Sequence, residues 1–301
     1  MTVLGFLSPL FEPGFLSNAP VQTALTVGGI VAVVSGIVGT FTVMRGQSFA
    51  GHSLADIGTA GGSAAFLIGI SPLFGFVAMN VMAAGVMESI GIRRPRGRDL
   101  ATGVVLGAAL GLAALFLYLD TTASSTTGAT VNVLFGSIFT LPSSLVPVIA
   151  IFSVVAAGIV VVMYRPLILS SISSDLAKAR GVPQRLVGVG YLLALALAVS
   201  LSAVTIGAIL STALLIGPAA TALRITNRTG RAAIIAAAIG VAVTWLGVLL
   251  AYDSYYWFPT HGGWPVSFFV VTLVFLIYLV SQVRLGQRAR ATRLSVATSE
   301  R

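Results

Sequence analysis

Two ionisable residues stand four positions apart inside an apolar run, His52 and Asp56 in RGQSFAGHSLADIGTAGG. At that spacing they share one face of a helix. Counted from Ser48 at about 1.5 Å per residue, His52 lies roughly 6 Å and Asp56 roughly 12 Å along it. If the run crosses a membrane, Asp56 sits near its middle. There a lipid-facing carboxylate costs at least several kcal/mol, so it should face a polar path or a partner. Imidazole and carboxylate together coordinate Mn, Fe or Zn, with water or transient partners completing the shell. The same pair could instead be a buried contact that fixes helix packing, and spacing alone leaves both readings open.

Other reactive residues are few. Glu88 lies four residues before the boundary near Ile92, where snorkelling or an ion pair with Arg93 or Arg94 would suffice. In YRPLILSSISSDLAKARGVPQRL, the Ser171-Ile-Ser-Ser-Asp175 stretch offers an N-cap, Leu176 to Arg180 a short helix and Gly181 its stop. That helix, with Asp175, Lys178 and Arg180, is either a handle for a soluble partner or an ordinary interfacial helix. The stretch DSYYWFPTHGGWP combines Asp253 and His261 with aromatics that anchor spans at headgroup level. The two polar residues could also meet arriving cations or a docked delivery protein. No Ser-His-Asp site or HExxH motif is present, so a catalytic reading has little support. Lys178, the single lysine, sits in Ala-Lys-Ala and not in a phosphate-binding Gly-Lys-Ser/Thr. Any ATP used must be hydrolysed on another polypeptide.

The elements that position these residues follow from composition. Of 301 residues, 57% are hydrophobic and 8% charged, where a soluble domain carries about a quarter charged. Apolar runs suited to spanning roughly 30 Å of hydrocarbon occur at 21–44, 48–70, 73–92, 100–119, 145–164, 186–202, 204–223, 232–252 and 266–283. The fold class is therefore all-α and polytopic in a membrane. Nine spans are expected, or eight if the pair meeting at a turn near Ser200 to Ser202 is miscounted. The segment 131–139 is too short to span and reads as re-entrant or interfacial. Among the 33 glycines, Gly58-x-x-x-Gly62 and Gly107-x-x-x-Gly111 would admit close helix crossings.

The net charge of +9 is spread in short clusters between the apolar runs, the pattern of membrane orientation and lipid contact and not of nucleic-acid binding. With Arg45 cytoplasmic, alternation through nine spans puts all five basic clusters inside. The loops holding Asp120 and Asp253 then fall outside, as does the N-terminus, with the C-terminus cytoplasmic. The organisation is an extracytoplasmic or interfacial segment 1–20, a transmembrane domain 21–283 with a cytoplasmic connection 165–185, and a basic cytoplasmic tail 284–301. The absence of cysteine excludes disulfides and thiolate ligands.

With these residues in view, the chain resembles the zinc/manganese/iron-type family of ABC importer permeases. GTFTVMRGQSFAGHSLADIGTAGG at 39–62 is similar to the family's Gly-x-x-x-x-x-Arg-Arg opening followed by Gly-Asp-Ala-Leu-Ser-His. Gly46 replaces the second arginine, and the family's Asp falls on His52 and its His on Asp56, so the ligand types persist in exchanged order. Leu134-Phe135-Gly136-Ser137-Ile138 also matches. So does Asp175-Leu176-Ala177-Lys178-Ala179-Arg180-Gly181, which looks like the family's ATPase-contacting segment. Leu215-Ile216-Gly217-Pro218-Ala219-Ala220-Thr221-Ala222 resembles a further family signature.

The resemblance implies a non-catalytic permease subunit that carries Mn, Zn or Fe and holds no permanent cofactor. Its implied assembly has a second permease copy, two cytoplasmic ATPases that bind ATP, and an extracytoplasmic metal-binding protein, all at a bacterial inner or plasma membrane. His52 and Asp56 would be the metal ligands, and Asp175, Leu176, Lys178, Arg180 and Gly181 the coupling contact. Two alternatives remain at this level: an ABC permease for a metal chelate or other small solute, and an ion-gradient-driven transporter that uses Asp56 as a proton or sodium site.

Overall fold

The structure, a computed structural model, describes residues 15–91, 97–123, 128–136, 138–257 and 263–299. Its α-helices are α1 (Ala19–Met44), α2 (Ser48–Leu67), α3 (Pro72–Gly91), α4 (Gly97–Ala123), α5 (Gly128–Phe135), α6 (Val146–Val162), α7 (Tyr164–Ile172), α8 (Ser174–Ala179), α9 (Gln184–Ile206), α10 (Ala208–Ile225), α11 (Thr229–Trp257) and α12 (Val266–Ser299). Among the described residues, eight stretches are long and apolar enough to cross a membrane: Ala19–Met44, Pro72–Ser89, Gly103–Thr122, Ser143–Val162, Gln184–Ile206, Ala208–Ile225, Thr229–Trp257 and Val266–Val283. The outer faces of α4 and α6 expose Val104, Leu115, Val154 and Val162. Such a surface suits hydrocarbon, in which helices keep every backbone hydrogen bond internal.

The remaining expected span, 48–70, is helix α2, and it is a different kind of helix. His52, Asp56 and a run of Gly, Ser and Thr make it too polar to count with the other eight. It is packed against α3, α4, α9 and α10, so protein and not lipid surrounds most of it. Small residues make that enclosure tight. A Cβ on Gly61 would strike the carbonyl of Gly75, and one on Gly75 the carbonyl of Gly61. Gly58 and Gly62 leave room for Asn80 and Phe76. Gly107 and Gly111 on α4, by contrast, face open space and receive no helix of this chain among the described residues.

Helix α1 is the pivot of the bundle. Val27, Val31, Val38 and Phe41 are buried along it, and it packs against α6, α9, α10 and α11. Gly36 lies against the backbone of Ala236 and Ala237, and Gly39 against the carbonyl of Leu215. Its buried hydroxyls are satisfied locally: Thr40 donates to the Gly36 carbonyl at 2.8 Å and Thr42 to that of Val38 at 3.0 Å.

The turn expected near Ser200 to Ser202 lies elsewhere. Helix α9 continues to Ile206, and the chain breaks at Gly207, with φ +92°. Ser200 and Ser202 donate to the carbonyls of Ala196 and Ala198, at 2.7 and 2.9 Å. Bonding of this kind keeps serine within a helix, whereas a left-handed φ with no room for a Cβ requires glycine. The expected pair of spans is thus two helices, divided five residues later than the serines suggest. The short segment 131–139 contains the end of α5, which packs against α2, α4, α9 and α10. It stops at Gly136, φ +83°, whose missing Cβ would meet the backbone of Thr205, Ile206 and Gly207.

Candidate functional site

His52 and Asp56 are one turn apart on α2, with His52 Nε2 3.5 Å from Asp56 Oδ2. The His52 side chain is 50% exposed and that of Asp56 20%, while Gly51, Ser53, Leu54, Ala55 and Ile57 around them are buried. The pair therefore occupies the open stripe of an otherwise enclosed helix. An imidazole nitrogen and a carboxylate oxygen that converge on one opening can hold a divalent cation. Among the described residues no third His, Asp or Glu joins them, which leaves coordination positions open to water, backbone or another chain.

Between α6 and α9 the chain forms α7 and then α8. Within the expected capping stretch 171–175 the cap is Ser173, whose Oγ accepts from the Leu176 amide at 3.2 Å. Gly181, φ +73°, ends the helix, with its amide donating to the Lys178 carbonyl at 2.9 Å and that of Val182 to Ala177 at 3.0 Å. Only Ala177 of this helix is buried. Asp175, Leu176, Lys178, Arg180 and Gly181 are all exposed. Asp175 Oδ1 and Lys178 Nζ, 3.9 Å apart, are solvated enough that their pairing contributes little. The result is a small capped helix that presents charge and one leucine outward.

At the other end of the bundle, Asp253 is not in a loop. Helix α11 extends to Trp257, and Asp253 is 5% exposed on it. His261 lies outside the described residues. The aromatic residues form a connected cluster: Trp264 stacks on Phe269 with centroids 6.0 Å apart and meets Trp257 edge-on at 6.4 Å. The Trp264 amide donates to Ser254 Oγ at 2.9 Å. Tyr255, Tyr256, Trp257 and Trp264 remain about half exposed, as residues at a headgroup layer are.

Several polar contacts were not anticipated from the sequence. Asn80 on α3 is fully buried and donates through Nδ2 to Ser200 Oγ at 2.9 Å. Ser35 and Ser202 share a 2.8 Å hydrogen bond between α1 and α9. Arg45 Nη1 donates to Ser170 Oγ at 2.8 Å, and its guanidinium lies 4.8 Å above the Tyr191 ring centroid. Glu88, read as a boundary residue served by snorkelling or by Arg93 or Arg94, is buried against Gly188. Arg93 and Arg94 lie outside the described residues. An asparagine within FVAMNVMAAG was a readable signal, but its partner 120 residues away was not.

Eight lipid-compatible helices around an enclosed polar one, with a capped helix set between two of them, define a multi-pass α-helical membrane protein. Residues 17–282 match the ABC 3 transport family, and the chain belongs to it. It is accordingly the non-catalytic membrane subunit of a multi-subunit ABC transport system in which ATP is hydrolysed by a separate subunit. The manganese transport system membrane protein MntC of Listeria innocua is 29% identical over 272 residues, 90% of this chain and 92% of that one. The manganese import system permease protein ScaB of Streptococcus pneumoniae is 30% identical over 250 residues, 82% and 85% of the two chains. Among solved structures, PsaBC from Streptococcus pneumoniae in complex with Fab superposes with a TM-score of 0.76 at 22% identity, covering 93% of this chain and 95% of that chain.

Proposed function

We propose that this permease carries a divalent transition-metal ion, Mn, Zn or Fe, inward across a bacterial inner or plasma membrane. The observation that carries the reading is the convergence of His52 Nε2 and Asp56 Oδ2, 3.5 Å apart, on the open stripe of α2. The manganese transport systems of which MntC and ScaB are membrane components support the cargo class. Two protein ligands leave most of the coordination shell to water and to a second copy of the permease. A site so incomplete holds the ion weakly enough to release it, which a path requires.

In this reading α2 is the ninth span. The N-terminus and segment 1–20 are outside, while the connection 165–185 and the tail 284–301 are cytoplasmic, in keeping with arginine retention on one side. Two permease copies assemble with two ATPases and an extracytoplasmic metal-binding protein. Asp253 and His261 belong to the external mouth where the ion arrives, with Asp253 acting from within α11. The exposed residues Asp175, Leu176, Lys178, Arg180 and Gly181 form the ATPase contact. ATP-driven movement of that contact alternates access to His52 and Asp56.

The test is uptake of radioactive Mn, Zn and Fe by cells bearing the His52→Ala/Asp56→Ala double variant, at wild-type membrane abundance. Loss of uptake of the carried metal is expected. Uptake equal to wild type removes the pair from the path.

A further inference from the structure

Glu88 lies in the last turn of α3. It is 8% exposed, and it makes no hydrogen bond or ion pair with any described residue. Its carboxylate faces a cavity of about 330 Å³ that is also lined by Arg45, Gln47, Ser171, Ser174, Gln184 and Arg185. Gly188 makes the approach feasible, because a Cβ at that position would lie 2.5 Å from Glu88 Oε1.

The two arginines of the cavity are not equivalent. Arg45 is committed to Ser170 and to the face of Tyr191, whose hydroxyl in turn donates to Thr42 on α1 at 3.1 Å. Arg185 is exposed and makes no ion pair or hydrogen bond with a described residue. It stands three residues before Gly188 on α9, so both lie on the helix face that meets Glu88. Both side chains line the one cavity, and pairing them requires a rotamer change together with a shift of the first turn of α9. A free cation entering the cavity would face two guanidinium groups, and a phosphate would face Glu88. The charges complement one another better than either ligand.

The cavity also lies between two parts that must move relative to each other in an ATP-driven permease. Arg45 follows α1, Gln47 precedes α2 and Glu88 is on α3, whereas Ser171 and Ser174 belong to the connection that carries α8, and Gln184 and Arg185 to the first turn of α9. Gln184 Nε2 donates to the Ser174 carbonyl, so displacement of α8 drags the first turn of α9 with it. Glu88 sits on α3, which is locked to α2 through Gly61 and Gly75, and α2 carries His52 and Asp56. We propose that Glu88 is a positioning residue for transport. Its carboxylate pairs with Arg185 when the α8 connection shifts, and this pairing transmits the shift through α3 to the ligand-bearing helix. The inference rests on the coupling role proposed for α8.

Because the chain has no cysteine, a Glu88→Cys/Arg185→Cys pair supplies its two thiols. In the complete complex with its ATPases, a short bifunctional thiol reagent should join the pair several-fold more efficiently in one nucleotide state than in the other. The nucleotide-free and vanadate-trapped states are the two to compare. Separately, Glu88→Arg and Arg185→Glu should each lower uptake about tenfold while ATP hydrolysis persists, and the double reversal should restore much of it. Metal binding to a Glu88→Gln complex should stay at the wild-type level, which separates loss of the latch from loss of the cargo site. Nucleotide-independent cross-linking overturns the proposal. So does failure of the double reversal when both singles are impaired at normal abundance. Protection of the Glu88→Cys thiol by Mn alone, without nucleotide, overturns it as well. If the wild-type complex moves no metal at all, the proposed function fails instead.

Discussion

Gly136 and Gly207 meet backbone to backbone, each with a positive φ, where the end of α5 abuts the break between α9 and α10. The contact joins a short helix that does not span to the two that do, and neither glycine has space for a methyl group. Gly207→Ala is expected to destabilise the bundle by about 1–3 kcal/mol, from backbone strain and steric conflict together. Thermal unfolding in detergent, followed by loss of the monodisperse size-exclusion peak, measures it. A Gly207→Ala variant as heat-stable as wild type would contradict the observed junction.

The order of the two ligands should matter less than their presence. His52→Asp/Asp56→His keeps one imidazole and one carboxylate on the same face of α2. It is expected to retain uptake within about threefold of wild type, since both groups accept the same divalent ions. Each single alanine variant should lose more than the exchange does. Uptake at matched abundance decides this, and a complete loss in the exchanged variant would show that the path reads position as well as ligand type.

The ATPase contact should be separable from the stability of the bundle. Ser173→Ala removes the oxygen that caps α8, at a local cost of about 1 kcal/mol, on a helix with a single buried residue. Permease abundance should hardly change, while the amount of ATPase that copurifies should fall. Asp175→Lys, at a side chain 92% exposed, should do the same without unfolding α8. Undiminished copurification in both variants would remove α8 from the contact.

Asn80 and Ser200 should show the asymmetry of buried hydrogen bonds. Ser200→Ala leaves the Asn80 amide without its described acceptor and should cost about 1–3 kcal/mol. Adding Asn80→Leu removes the stranded group and should recover part of that loss, as read by thermal stability of the purified permease. A double variant weaker than the sum of its singles would count against it.

The architecture was legible to the extent that it rests on local rules. Basic punctuation between apolar runs located the long helices, and Ser173 and Gly181 marked α8 because caps and left-handed stops are short-range signals. The α9–α10 boundary was misplaced because Ser200 and Ser202 look like turn residues in sequence. Only the structure reveals their bonds to the preceding helical turn and to α1 and α3. The His52–Asp56 pair was readable from periodicity alone. Its openness on one stripe was not, since that depends on which faces of α2 its neighbours cover. The approach of Glu88 to Gly188 was hidden for the same reason: Gly188 lies far along the chain on α9.

The enclosure of α2 reaches back to how the protein is made. A segment with His52, Asp56 and so many glycines and hydroxyls partitions poorly into hydrocarbon by itself, and Gly61 and Gly75 can pack only once α3 is alongside. With α2 as the proposed ninth span, the segment that carries the candidate ligands is a passenger during membrane integration, admitted between two apolar neighbours. A truncation ending before α3 should leave it outside the bilayer.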